Sequence, residues 1–236
     1  RIWFGKEGSS APRIKLFLTE VKDGIVPDTW WNHEVYGNNQ EAKKEVLELF
    51  EGEEPFSTPK PLKLISQILK IATNSTSNDI VLDFFAGSCS TAHAILKENS
   101  SDSGNRRFIM VQLPEFIKGS QGDDISTISS LGCERIKRSA KSLSQTNSSV
   151  DFGLKVFKLS NSSIQVWNPD RTDIEESLLS HEEHLIEGRS EQDILYELLL
   201  KRGVDLSVPI ESREVVGKNI YSIGYGVLFA CLDHSI

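Results

Sequence analysis

The chain has 236 residues, enough for one large or two small domains. Charged residues make up 25 % and apolar residues 38 %, and no apolar run is long enough to span a bilayer or to form a signal peptide. The net charge of −8, from 26 basic and 34 acidic residues, excludes a uniformly basic nucleic-acid-binding surface. Three widely spaced cysteines, Cys89, Cys133 and Cys231, argue against a disulfide framework or zinc site and for a reducing cytoplasm.

In chain order, the opening stretch to Trp31 is broken by Gly5, Gly8, Pro12, Gly24 and Pro27, with a short helical pattern at residues 13–21. Packing is the expected use of the adjacent Trp30 and Trp31, with stacking on a base as the alternative. Asn39 is placed to cap a helix running to Glu51, with Ala42, Val46 and Leu49 inward and Gly52 as its stop. Thr58 is expected to cap the next helix, with Pro59 in its first turn and Leu62, Ile65, Leu69 and Ala72 as its apolar stripe. N-S-T-S-N at residues 74–78 leads into a strand at 80–85, a tight turn and a helix ending near Lys97. The loop S-S-D-S-G-N precedes a second strand at 108–113. Strand, helix and strand of this length imply a parallel, right-handed crossover.

Residues 124–143 read as an amphipathic helix interrupted at Gly132 and made locally basic by Arg135, Lys137, Arg138 and Lys141. A solvated face is the expected role of those charges, and a phosphate contact is the alternative. S-Q-T-N-S-S at 144–149 marks a boundary. Beyond it, 154–159 and 164–167 alternate like strands, and Asn168-Pro169-Asp170 makes a turn. Ser190 and Asp193 form a capping box for a helix that buries Ile194, Leu195, Leu198 and Leu199 and ends at Gly203. Val215-Val216 and 220–223 lead through Gly224-Tyr225-Gly226 into 227–232, a hairpin pattern. His181 and His184 of H-E-E-H are spaced like metal ligands, but a solvated helix face is expected, and His93 is expected to pack.

The most informative stretch is I-V-L-D-F-F-A-G-S-C-S-T-A-H-A at residues 80–94. An apolar strand ends in Asp83, a turn of small residues follows, and a helix begins. Backbone N–H groups and a helix N-terminus meeting at one point cradle a polar cofactor. By itself the stretch also reads as a tight strand–helix turn with a satisfied aspartate cap. Upstream stands F-S-T-P-K-P at 56–61, and downstream R-R-F-I-M-V-Q-L-P-E at 106–115. Further segments are R-I-W-F-G-K at 1–6, N-N-Q-E-A-K-K-E at 38–45 and G-R-S-E-Q-D-I-L-Y-E-L-L-L-K at 188–201. V-P-I-E-S-R-E at 208–214 and Y-S-I-G at 221–224 complete the set. In this order they resemble the DNA amino-methyltransferases whose cofactor motifs follow the catalytic loop. Within that group they are most similar to the modification subunits of bacterial type III restriction-modification systems.

The resemblance implies an α/β fold: part of a Rossmann-like S-adenosylmethionine-dependent methyltransferase sheet, with a small C-terminal α+β module. Residues 1–37 correspond to the tail of a target-recognition region, 38–146 to the S-adenosylmethionine-binding part, and 150–236 to a module for subunit assembly. The implied cofactor-binding residues are Thr58, Lys60, Pro61, Asp83, Phe85, Ala86, Gly87, Ser88 and Gln112. Asp83 suits the ammonium group; Thr58, Lys60 and the N–H groups of Ala86 to Ser88 suit the carboxylate; Phe85 packs on the ligand. Gln112 stands where an acidic ribose ligand is usual, with Glu115 as substitute. Cys89 replaces a glycine of the family turn, where a Cβ and a sulfur are expected to narrow the pocket.

The family's catalytic D-P-P-Y-type loop is absent, since no two of the eight prolines are adjacent. No catalytic residue and no metal ligand is therefore assigned, and the chain is expected to be an internal fragment, inactive alone. The implied reaction is methyl transfer to N6 of a flipped adenine. Implied partners are double-stranded DNA, held mainly by the missing N-terminal part, a second modification subunit and the restriction subunit, in the bacterial cytoplasm and without a membrane. The competing readings are a non-catalytic assembly fragment and a dinucleotide-binding oxidoreductase, the latter disfavoured because G-x-G-x-x-G is absent. A sheet lacking its other half is expected to expose an edge and an apolar face.

Overall fold

A computed structural model describes residues 2–14, 16–20, 26–52, 56–118, 125–145, 147, 150–167, 172–180 and 184–233. The chain divides into two compact units, Arg1–Leu154 and Lys155–Ile236, a division a few residues beyond the boundary expected at 144–149. The fold class is mixed α/β, with small sheets.

The first unit opens with a short antiparallel pair, β1 (Ile2–Trp3) and β2 (Arg13–Ile14). The helix expected at 13–21 does not form: Arg13–Ile14 is a strand and Leu18–Glu20 a single 3-10 turn. Ile14, Leu16 and Phe17 are exposed, so no packing face repays the cost of nucleating a helix. A short helix α1 (His33–Tyr36) follows, capped by Asn32. Trp31 packs as expected, its ring 5.5 Å from that of Tyr36, but Trp30 is 83 % exposed.

Helix α2 (Asn39–Leu49) is capped by Asn38 rather than Asn39, burying Ala42 and Val46. Helix α3 (Leu62–Ala72) begins four residues later than Thr58 would dictate, with Pro61 at its N-cap. The cause is the second proline. Lys60 precedes Pro61 and is steered away from helical angles, so the turn cannot start at Pro59. Pro61 itself is extended at φ −67° and ψ 135°. Of the apolar stripe, Leu62, Ile65 and Leu69 are buried, whereas Ala72 is exposed at the last position of the helix.

Strand β3 (Ile80–Asp83) pairs in parallel with β4 (Arg107–Met110), with helix α4 (Ser90–Asp102) between them in sequence. The parallel crossover therefore forms as expected. The first strand stops at Asp83, because Asp83 Oδ1 accepts from Phe85 N at 3.3 Å and turns the chain. Helix α4 outlasts Lys97 by five residues. Buried Asn99 clamps the backbone of Arg106 from both sides (2.8 and 3.2 Å), and the Arg106 guanidinium forks onto Asp102. These ties hold a polar last turn that propensity alone would leave frayed.

Val81, Phe108 and Met110 face the buried Leu62, Ile65, Leu69, Ala94 and Ile95. The alternate residues Ile80, Leu82 and Ile109, with Val111 and Leu113 just beyond β4, are exposed. Parallel strands in folded proteins are covered on both faces. That face of β3–β4 is apolar and bare among the described residues.

Helix α5 (Ile128–Ser144) is capped by a Thr127/Ser130 capping box and runs without interruption through Gly132. The expected start near Asp124 lies outside the described residues. Its supposed solvated basic face is a further correction. Arg135 is fully buried, and Arg138 lies 4.6 Å over the Phe50 ring with Glu134 at 2.8 Å, leaving only Lys137 and Lys141 exposed.

In the second unit, the strand expected at 154–159 is irregular chain, and 164–167 contributes only an isolated bridge, Ile164 to Leu185. The Asn168-Pro169-Asp170 turn lies outside the described residues, as do His181 to Glu183 of the H-E-E-H segment. A short helix α6 (Ile174–Ser180) precedes α7 (Glu191–Lys201), whose Ser190/Asp193 capping box is present as expected. Leu195 and Leu199 are buried, but Leu198 is partly exposed and Ile194 half-buried, so the inward face is narrower than the sequence suggests. Strands β5 (Ile210–Val215), β6 (Lys218–Ile223) and β7 (Leu228–Cys231) form an antiparallel meander. Its Tyr221 and Ile223 close the core on α7.

Candidate cofactor site

Three segments converge at the C-terminal ends of β3 and β4, where an open α/β sheet binds its ligands. The turn after β3 has two residues in the left-handed region, Gly87 at φ 53° and Cys89 at φ 56°. Phe56, from F-S-T-P-K-P, packs on this turn, and a Cβ at Gly87 would sit 3.5 Å from its ring. The two sequence motifs are thus in direct contact.

The turn is held by named bonds. Ala86 N donates to Val111 O (3.1 Å), Gly87 N to Gln112 Oε1 (2.7 Å) and Cys89 N to Ala86 O (2.8 Å). Asp83 Oδ2 accepts from Thr91 Oγ1 at 2.7 Å, tying the strand end to the first turn of α4. The expected N–H donors Ala86 and Gly87 are therefore spent inside the fold. The amides of Ser88 and of the first turn of α4 come ahead of that helix's earliest backbone bond, from His93 N to Cys89 O. Gln112 lies beside the turn as expected, with its carbonyl occupied by Gly87. Glu115 is exposed, and its carbonyl accepts from Ile128 N.

Helix capping singles out two N-termini. Asn32, Asn38, Thr127 and Ser190 cap α1, α2, α5 and α7 with side-chain hydrogen bonds, whereas the N-cap residues of α3 and α4, Pro61 and Cys89, make none, and the first amide of α3 is taken by Glu45 instead. These are the two helices that the motifs begin. Thr58 and Lys60 are exposed ahead of α3, and Pro61 is buried at its start. Phe85 is 83 % exposed beside Phe84 at 5.0 Å, an aromatic surface open to a flat ligand.

Cys89 does not narrow the site. It is 5 % exposed, and it packs with Ala86, Ala92, Leu96 and Ile136. Its sulfur fits because residue 132 is glycine: a Cβ there would lie 2.6 Å from Sγ. Burial pushes the thiol pKa up to about 12, so it is neither nucleophile nor ligand at neutral pH.

Sequence reading missed the groups behind the turn. Arg135, 0 % exposed, donates through Nη1 to Ser88 Oγ (2.9 Å) and Ser90 Oγ (2.7 Å), and its Nε approaches His93 Nδ1 at 3.5 Å. Glu45 on α2 accepts from Leu62 N, the first amide of α3, at 3.1 Å. Burial raises the Glu45 pKa, while the Leu62 bond and the Arg135 charge oppose the rise. The available signal was periodicity, since Arg135 falls four residues after Leu131 on the inward stripe of α5.

Burial, with the Arg135 and Lys97 charges, pushes the His93 pKa down to about 3. The folded chain keeps His93 neutral while the unfolded chain takes a proton below about pH 6.5, so stability falls as pH drops from there towards 3. Urea midpoints at pH 7.5 and pH 5 are expected to differ by about 1–2 kcal/mol in stability, and His93→Gln to remove most of that difference.

Among the described residues, no helix is long and apolar enough to cross a membrane. Comparison with known proteins agrees with this geometry. A family described as DNA methylase matches residues 6–144. The StyLTI Mod subunit, a type III restriction-modification enzyme of Salmonella typhimurium, is 33 % identical over 162 residues, covering 66 % of this chain and 24 % of that protein. The EcoP15I Mod subunit of Escherichia coli is 30 % identical over 163 residues, covering 67 % and 23 %. The type II methyltransferase M.KpnI of Klebsiella pneumoniae is 37 % identical over 84 residues, covering 36 % and 19 %. The match thus spans about a quarter or less of each relative's length. With more than half of its length inside that match, the chain belongs to the DNA methylase family.

Proposed function

We propose that this chain is the cofactor-binding portion of a site-specific DNA adenine-N6 methyltransferase, the modification subunit of a type III restriction-modification system. The observation that carries the reading is the uncapped N-terminus of α4, brought beside the segment that leads into α3 by the Phe56–Gly87 contact at the mouth of a parallel strand pair. An α-helix N-terminus without a side-chain cap takes an anion readily. The amino-acid end of S-adenosylmethionine offers one, and the small residues Ala86 to Ser88 let it come close. When bound, this cofactor supplies an electrophilic methyl group.

In this reading Ser88 N–H, the first turn of α4, Thr58 and Lys60 hold the carboxylate, with Pro61 setting where α3 begins. Asp83 faces the ammonium while Thr91 keeps its rotamer fixed. Phe85 covers the adenine or the methionine chain, and the Gln112 amide is the group nearest a ribose. The residues that accept the flipped adenine lie in the D-P-P-Y-type loop, which this chain lacks, so the chain alone binds and orients without turnover. Rossmann-like completion of the sheet requires further strands at the edges of β3–β4 and helices on its bare face. Double-stranded DNA, a second modification subunit and the restriction subunit are the proposed partners, in a bacterial cytoplasm. A second reading, subunit assembly through the unit Lys155–Ile236, is favoured by Val216, Val227 and Phe229, which the meander leaves exposed.

Calorimetric titration tests the main reading. Saturable binding of S-adenosylmethionine, with no heat from NAD, is the expected result. A folded chain that binds neither, by calorimetry and by thermal shift, rules it out.

A further inference from the structure

One nitrogen of the Arg135 guanidinium has no hydrogen-bond partner among the described residues. Nη1 is shared by Ser88 and Ser90 and Nε approaches His93, but Nη2 is buried and without a partner there. Burying a guanidinium and orphaning a donor is costly, and a helix methionine would fill the same space more cheaply. Such a cost is retained where the charge serves a purpose. Arg135 is tied to the two side chains that flank Cys89 at the start of α4, on the inner side of the turn. Glu45 is the acidic group whose charge acts on it, and Glu45 also holds the first amide of α3. The two charges thereby stand behind the starts of the two helices, Arg135 at α4 and Glu45 at α3.

We propose that Arg135 is a positioning and specificity-determining residue: its guanidinium fixes Ser88 and Ser90 from behind and adds a full positive charge beneath the pocket, selecting ligands that carry a carboxylate at their amino-acid end. The inference rests on the cofactor reading above and goes beyond it, since Arg135 touches no ligand and acts through Ser88, Ser90 and the field. Burial lowers its pKa only to about 10, so the charge is present at neutral pH. In a low-dielectric interior such a charge acts over several ångströms with little screening. Glu45, partly buried on the opposite element, tempers it.

The test compares S-adenosylmethionine with its decarboxylated analogue on the purified chain by titration calorimetry, with near-UV circular dichroism checking the fold. The wild-type chain is expected to prefer the carboxylate form by about tenfold or more. Arg135→Met should cut that preference to within about threefold by weakening only the carboxylate ligand. Glu45→Gln keeps an acceptor for Leu62 N but removes the opposing charge, so its effect should have the opposite sign, a preference raised about threefold. A purely structural role weakens both ligands equally in both variants, and that result overturns the proposal. Should Arg135→Met fail to fold, Arg135→Gln, which removes the charge but keeps a donor for the serines, replaces it with the same expected loss of preference. Wild-type chain that binds neither ligand overturns the cofactor reading itself, whereas equal losses overturn only the role of Arg135.

Discussion

Replacing Gly132 by alanine is expected to destabilise the chain by about 2 kcal/mol, although the same change in an exposed helix stabilises by about 1 kcal/mol. The added Cβ would meet Cys89 Sγ at 2.6 Å and Gly87 O at 3.3 Å. Neither neighbour has room to move. Cys89 is an N-cap residue at φ 56° and ψ 39°, fixed by its own backbone bond to Ala86, and Gly87 O belongs to the motif turn. Cys89→Gly removes the sulfur and relieves a left-handed non-glycine residue, a strain of about 1–2 kcal/mol. In that background Gly132→Ala should become neutral or mildly stabilising, so the four proteins of the cycle should show a coupling of about 2–3 kcal/mol in urea midpoints. A Gly132→Ala protein more stable than wild type would show that sulfur and helix do not meet as described.

The second large effect is expected at Asp83. Asp83→Asn keeps a carbonyl oxygen for Thr91 Oγ1 or Phe85 N, the two partners of the carboxylate. The turn should survive, with a loss of stability of about 1 kcal/mol or less. If Asp83 faces the cofactor's ammonium group, removing its charge should weaken S-adenosylmethionine binding by about 30- to 100-fold. Binding of an analogue lacking the amine should hardly change. An Asp83→Asn variant that holds S-adenosylmethionine as tightly as wild type would reduce Asp83 to a cap of its turn.

Cys89 shows how far a motif comparison reaches. The sequence displayed an odd residue in a tight turn, and the natural expectation was a crowded pocket. The side chain instead points into the core formed with Ala92, Leu96 and Ile136. The direction of a Cβ at positive φ is a property of the folded turn, and the compensating glycine stands 43 residues further along the chain. Gly132 itself read as a helix interruption for the same reason: glycine has low helix propensity, but here it is the only residue that lets α5 lie against the turn.

Local signals set by one or two side chains were legible in the letters alone. The Ser190/Asp193 capping box, the Gly224-Tyr225-Gly226 turn of the meander and the parallel strand–helix–strand around Asp83 each depend on short-range geometry, and each is present. The order of the motifs also sufficed to assign the DNA methylase family. Element ends were less legible. Helix α3 starts after a second proline, and α4 runs on to Asp102 because Arg106 and Asn99 fasten its last turn from the next strand. Least legible was the charge behind the site. Arg135 looks like a solvated cation in sequence, because solvation is the default for arginine. Only packing α2, α4 and α5 around it converts that residue into a buried guanidinium beneath two serines. The order of residues along the chain was enough to say which groups could be brought to a site. Which of them face the ligand and which are spent holding the turn emerged only on folding, because that depends on contacts between residues far apart in the chain.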